Sequence, residues 1–373
     1  MSAVQDFRQP AVCRITVDGE EISDLCTYLI DARVETGRNV ASVCILTFDT
    51  IRLEDGTWNV QDSGIFEPWN NFKIEANFGH YREEIMRGFV KSVKADTPEK
   101  MGEAMVTVTC QDETMLLDRK HVRKTRSRED EPVTDGDIAK EIARENNLNV
   151  DAEEGLRNVT LNQDSTHIKL LRTRAEANGY DCYIREGKLY MKPPQLDEDP
   201  QSPILVYAGS KTNCLRFTVT HDGHKPDEVG VMRAPETGTE TENETLKPNL
   251  TLLGKKAASS VGAGLTPFVW QTQRPAGGTL EEARARAQAK ANENAWKITA
   301  EGELDGSLYG HVLLTHKTVG VYGVGQTHSG LYYVDTVSHT FDQNGYRQSF
   351  KLLRNATGQN TEPESDDSLA AVR

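Results

Sequence analysis

Two stretches of this chain superpose at a constant spacing, and that restricts the fold more than any motif does. Lys73, Phe78 and Gly79 stand 244 positions before Lys317, Tyr322 and Gly323 (317 − 73 = 244). At the same spacing Phe89, Val90 and Val93 match Tyr333, Val334 and Val337, while Val106 and Val108 match Phe350 and Leu352. Each stretch reads as strand, aromatic-Gly, short loop, strand, turn, strand, with no gap over about 35 residues. A repeat spaced so widely is no solenoid. It predicts two like β-modules separated by other material, with residues 73–110 and 317–354 sharing one topology and each aromatic-Gly pair ending a strand.

A chain of 373 residues has room for two to four domains with a core in each. Hydrophobic residues make up 37% and charged residues 27%, the balance of a rather polar globular protein. No apolar run approaches the roughly 18 residues of a membrane span, so no stable membrane insertion is expected. The opening MSAVQDFRQP lacks the basic and apolar parts of a signal peptide, which points to synthesis in a cytoplasm. Cys13, Cys26, Cys44, Cys110, Cys182 and Cys214 are scattered without a CxxC. Reduced core thiols are therefore expected, with no disulfide framework or metal site. A net charge of −14 and a pI near 5.2 argue against a protein that grips phosphates. They are compatible with a lumen that nucleic acid slides through without sticking.

Residues 12–125 read as β, with hairpin signals at Asp18-Gly19 and Asp55-Gly56. Short strands with such turns suggest a barrel or sandwich. The character changes after the charged stretch 119–131. Thr134 opens a helix in capping-box style, with Ile138, Ala139, Ile142 and Ala143 as its apolar stripe. A second helix starts near Ser165 and stops at Asn178-Gly179. The run DCYIREGKLYMKPP then reads as a hairpin turning at Glu186-Gly187. Strands resume at Ile204, with Leu215, Phe217 and Val219 on one face. A third helix spans 279–297, capped by Thr279 and Glu282, with a narrow stripe of Leu280, Ala283, Ala287 and Ala291 suited to lying close on a sheet.

The fold expected is mainly β with an α+β insertion: two tube-like β-barrel domains related by the internal pseudo-repeat, plus a small helix-helix-hairpin domain. The boundaries are 1–128 for the first barrel, 129–198 for the inserted domain and 199–355 for the second barrel. Residues 235–278, rich in Gly, Ser and Thr, read as a long loop, and the acidic tail 356–373 as disordered. The inserted domain carries one apolar stripe per helix, so it should pack outside the barrel wall.

Catalytic signatures are missing: the sequence holds no GxSxG, HExxH, GxxxxGK[ST] or GxGxxG. His221 and His224 have a metal-compatible spacing but flank an Asp-Gly turn. Phe66 with Trp69, and Tyr332 with Tyr333, have the composition of a carbohydrate platform, though in strands such residues more often serve a core or interface. The expected site is therefore empty of catalytic, cofactor-binding and metal-binding residues.

The segment STHIKLLRTRAEANGYDCYIREGKLYMKP, a helix ending in A-x-x-N-G-Y followed by a hairpin with GKLY, resembles the baseplate hub proteins of contractile phage tails, the late control gene D family. The closing GVYGVGQTHSGLYYVDTVSHTFDQNGYRQSFKLLRN resembles the end of that family, and TLEEARARAQAKANENAWKITAEGELDG sits where the family carries its EEA helix. The likeness covers about residues 130–355 well and 1–125 more loosely, through the order of motifs. It implies a structural baseplate hub, similar to the hub part of type VI secretion spike proteins. Three such chains form a homotrimer of pseudo-sixfold symmetry that joins the sixfold tail tube to the threefold spike. The partners implied are a second and third copy, a spike protein, a tail tube or tube-initiator protein and other baseplate proteins. DNA passes through the lumen without specific binding. The resemblance places the protein in the virion tail baseplate, assembled in the host cytoplasm, with no enzymatic role. Rival readings are a tail-tip peptidoglycan hydrolase, which needs a paired acid and base in a cleft, and a glycan- or receptor-binding tail component, which needs exposed aromatic clusters.

Overall fold

The computed structural model describes residues 10–100, 102–233, 242–259, 265–272 and 279–359. Its backbone is one sheet of 13 strands, the twelve named below and the two-residue strand Glu20–Glu21 beside Val12–Val17, because the apolar residues of the long segments alternate at the strand period and bury one face. The first part of the chain supplies β1 (Val12–Val17), β2 (Leu29–Gly37), β3 (Val43–Asp49), β4 (Asn71–Asn77), β5 (Arg82–Asp96) and β6 (Met105–Asp112). They lie in the order β2-β3-β6-β5-β4-β1. The last part supplies β7 (Gln201–Leu205), β8 (Cys214–His221), β9 (Ile298–Asp305), β10 (Thr318–Tyr322), β11 (Gly330–Asp342) and β12 (Gly345–Arg354), in the order β8-β9-β12-β11-β10-β7. Antiparallel pairing of β2 with β11 joins the two sets. Each set covers its own core, one around Leu46, Phe48, Phe72 and Val108, the other around Ile298, Val319, Tyr332 and Leu352.

The meanders β4-β5-β6 and β10-β11-β12 share details that no local pattern requires. A bulge falls between Val90 and Ser92 in β5, and another between Val334 and Thr336 in β11. The Trp69 N–H donates to the Val90 carbonyl, and the His316 N–H donates to the Val334 carbonyl. Trp69 and His316 both hold positive φ, 79° and 62°, where bulky residues are uncommon. Gly79 and Gly323 follow the aromatic residue at a strand end in each meander, at φ 91° and 88°.

Strand by strand, however, the gap-free spacing fails. The middle strands keep 244, but Val90 faces Cys110 while Val334 faces Leu352, so the last strands are 242 apart (352 − 110 = 242). Asn71 faces Phe89 and Thr318 faces Tyr333, which puts the first strands 247 apart (318 − 71 = 247). Connections of unequal length cause the slip: residues 97–104 link β5 to β6, whereas 343–344 alone link β11 to β12. Val108 thus corresponds to Phe350, not to Leu352. The outermost strands also differ, since β1 runs antiparallel to β4 but β7 runs parallel to β10.

Between the two sets, α1 (Asp135–Glu145) and α2 (His167–Asn178) pack with the hairpin Asp181–Arg185/Lys188–Lys192 around Ile138, Ile142, Leu171 and Leu189. Thr134 and Asp137 form the capping box of α1, and Gly179 closes α2 at φ 70°. The strand His121–Ser127 pairs with Leu161–Thr166 rather than with the large sheet. Helix α3 (Leu280–Asn294) lays Ala283, Ala287 and Ala291 on Val229 and Val231 of the strand Glu228–Arg233.

Three further expectations need correction. Parts of the expected loop 235–278 are paired: Glu242–Leu246 lies antiparallel and Val269–Thr272 parallel to Glu228–Arg233. Glu242–Leu246 is Glu- and Thr-rich with one half-buried Leu246, and Val269–Thr272 is short with Trp270 exposed, so neither carried a strand-length hydrophobic pattern. Residues 235–241, 260–264 and 273–278 of that call lie outside the described residues. Order also continues past 355, because Ala356 is buried and pairs with Ala257; the tail from 360 on lies outside the described residues. In β8 a bulge between Cys214 and Arg216 breaks the expected alternation, leaving Leu215 49% exposed.

Candidate assembly interface

The seam between β2 and β11 pairs Gly37 with Thr336 through to Ala32 with Phe341. Ala32 and Val34 point into the core from β2. From the other side Phe341 stacks on Tyr346, with ring centroids 4.2 Å apart, and both belong to the first set's core. His339 is buried beside them, its Nδ1 2.9 Å from the Tyr346 hydroxyl. Burial pushes the His339 pKa down to about 3, so the ring is neutral across the physiological range.

A charged cluster closes the end of this seam. The Arg38 guanidinium donates from Nη2 to Glu293 Oε1 and Oε2 at 2.9 and 2.8 Å. Its Nε lies 3.5 Å from Asp335 and 4.0 Å from Asp181. Burial acts to lower the Arg38 pKa, but Glu293, Asp181 and Asp335 outweigh it and raise it. Asp181 accepts a hydrogen bond from the Tyr333 hydroxyl. Its burial outweighs the pull of Arg38 and pushes its pKa up to about 6. The His316 Nε2 donates to the Arg38 carbonyl at 3.0 Å, and its ring stacks 3.7 Å from Tyr183. Burial holds His316 down near 3. One knot of side chains therefore ties together both strand sets, the hairpin and α3.

Beside it a cavity of about 670 Å³ is lined by residues including Arg38, Arg172, Tyr180, Cys182, Lys290 and Trp296. Burial pushes the Cys182 thiol up to about 12, so it is no nucleophile at neutral pH. The wall offers charges of both signs and no nucleophile bonded to a base.

The residues singled out by sequence fall elsewhere. His221 and His224 are exposed at the end of β8, where the His224 N–H donates to Asp222. Among the described residues no three His, Cys, Asp or Glu side chains gather as metal ligands. Tyr332 and Tyr333 are fully buried, and Phe66 packs on Phe48 in the core, so neither pair offers a carbohydrate platform. Trp69 is half-buried under the Arg119 guanidinium. Arg38, Asp181, His316 and His339 carry no motif. Their only sequence signal is polarity within strand-like segments, which is too common to have found them.

The sequence model of a family described as the Alg8 N-terminal domain matches residues 8–343. The chain belongs to that family. Its description names no chemistry and assigns no site residue. Nothing among curated proteins matches this member of the family. Solved structures do. The 43 kDa tail protein of prophage MuSo2 from Shewanella oneidensis aligns with a TM-score of 0.68 at 12% identity, over 92% of this chain and 98% of its own. A tail protein from Neisseria meningitidis aligns at 0.64 and 12%, over 93% and 97%. An Escherichia coli component of the type VI secretion system, described as structurally similar to the T4 tail proteins gp27 and gp5, aligns at 0.52 and 9%, over 93% and 77%. This family member thus has the fold of these phage tail and type VI secretion proteins. Among the described residues no helix is long and apolar enough to cross a membrane.

Proposed function

We propose that this chain is the baseplate hub of a contractile tail or related injection device. Three copies close a ring of six like modules that joins a sixfold tube on one side to a threefold spike on the other. The observation that carries the reading is the correspondence of the two strand sets. Five strands match in order, in direction and in the position of two bulges. Volume is exchanged across them in a compensating way. Leu46 faces Val108 in the first set; Gly302 faces Phe350 at the matching place in the second. A Cβ on Gly302 would lie 2.5 Å from the Phe350 ring, so the small residue makes room for the large one. Two modules of one ancestry inside one chain convert threefold symmetry into pseudo-sixfold. The fold shared with tail proteins supports the setting.

On this reading the modules run over residues 1–128 and 199–355, with 129–198 as an insertion outside the ring wall. The role is structural, without catalytic residue, cofactor or metal. Spike, tube or tube-initiator and other baseplate proteins are the partners, in the virion tail baseplate. The net charge of −14 leaves a lumen through which DNA passes without adhesion. Such a subunit should bury well over the roughly 1,600 Å² of a standard interface. Light scattering of the purified chain, alone and with cognate spike and tube proteins, tests this. Three copies are expected; a stable monomer under every condition refutes it.

A further inference from the structure

Within one chain, the distal half of β11 has β2 on its outer edge, from Thr336 paired with Gly37 to Phe341 paired with Ala32. The matching half of β5, from Ser92 to Asp96, has β6 on one side and, among the described residues, no strand on the other. The strand matching β2 is β8, since the bulge between Leu29 and Asp31 corresponds to that between Cys214 and Arg216. It pairs only with β9 among the described residues and ends the sheet. Lys94, Ala95, Asp96, Thr218, Thr220 and His221 are all exposed. The chain thus contains one complete seam and the two separated halves of another.

We infer that β8 of one copy pairs antiparallel with the distal half of β5 of a second copy, in the register of the internal seam. The occupant is a second copy of this chain because its complement to β8 is already present and already unpartnered. Carrying the internal register across places Val93 opposite His221, Lys94 opposite Thr220, Ala95 opposite Val219 and Asp96 opposite Thr218. An edge strand left bare presents unpaired N–H and C=O groups and invites open-ended pairing. A donor and an acceptor edge on every copy instead close head-to-tail into a ring. This inference rests on the hub reading and adds to it the contact by which the ring closes.

The test is disulfide capture in the full chain under mild oxidation, with its mass measured in parallel by light scattering. Lys94→Cys combined with Thr220→Cys should give a covalent ladder ending at three chains. The parent, either single variant, and Lys94→Cys with Arg216→Cys should not, because disulfides tolerate only a narrow Cβ separation. The expected excess over the off-register pair is about tenfold. If the protein has the mass of three chains but the Lys94/Thr220 pair does not link, or links no better than the off-register pair, this edge assignment is overturned while the hub reading stands. A monomer that forms no disulfide at any concentration overturns both.

Discussion

The inner seam and the two open edges have the same backbone plan and different side chains. At the inner seam, Phe341, Tyr346, His339 and Arg38 are buried, and the aromatic rings reach into the neighbouring module's core. At the matching places on the open edge of β5 stand Ala95 for His339 and Thr97 for Phe341, both exposed. The first arrangement is that of a folding core, the second that of a solvent-facing surface. If the open edges pair as inferred above, one strand-pairing geometry serves two purposes, with side-chain polarity separating the contact made in folding from the one made in assembly.

The sharpest way to break the contrast is Phe341→Ala. Truncating a buried aromatic ring typically costs about 3–5 kcal/mol, and urea unfolding of the isolated chain should show it. A loss below about 1 kcal/mol would mean the inner seam is not part of the folding core. Next comes Arg38→Met, which leaves Asp181 and Asp335 in a buried place without their cation and should cost about 3 kcal/mol. Adding Asp181→Asn should recover part of that loss, as coupled neighbours do; strict additivity would mean that the knot is not a unit.

Acid should act on the inner seam with a definite sign. His316 and His339 are held near 3 against an ordinary 6.5. Their contribution is present above 6.5 and is lost as pH falls toward 3. Asp181 works the other way: raised from 3.8 to about 6, it contributes most below 3.8 and loses that contribution as pH rises through 6. Asp335, also raised by burial, acts in the same sense as Asp181, but the two histidines are displaced further, so thermal midpoints should fall between pH 6.5 and 4. His339→Gln should flatten that fall and Asp181→Asn should steepen it. An unchanged slope in both variants would show that neither group titrates where its burial implies. The smallest effect belongs to the open edge. Thr220→Ala should change the stability of the single chain by less than about 0.5 kcal/mol; a larger loss in the monomer would erase the distinction drawn above.

Much of the architecture was legible because it depends on local pattern. The caps at Thr134 and Thr279, the stop at Gly179 and the alanine stripe of α3 each rest on residues within a few positions of one another. The likeness of the two meanders was visible through the aromatic-Gly pairs. The slips to 242 and 247 were not, since they arise in connections whose length carries no periodic signal. The knot at Arg38 was invisible for a different reason. It joins residues 38, 181, 293, 316, 333 and 335, and only the folded topology brings them together.

The bulge in β11 makes that long strand a shared component. On one side of the bulge in β11 the strand completes its own meander, and on the other it receives a strand from the neighbouring module. Because side chains alternate face with every residue, inserting or deleting a single residue before the bulge changes the phase of everything after it. The length of β11 is thus held by two clients at once, and neither can drift without misaligning the other. Variation in such a molecule has to accumulate at the turns, where residues 97–104 and 343–344 already differ in length.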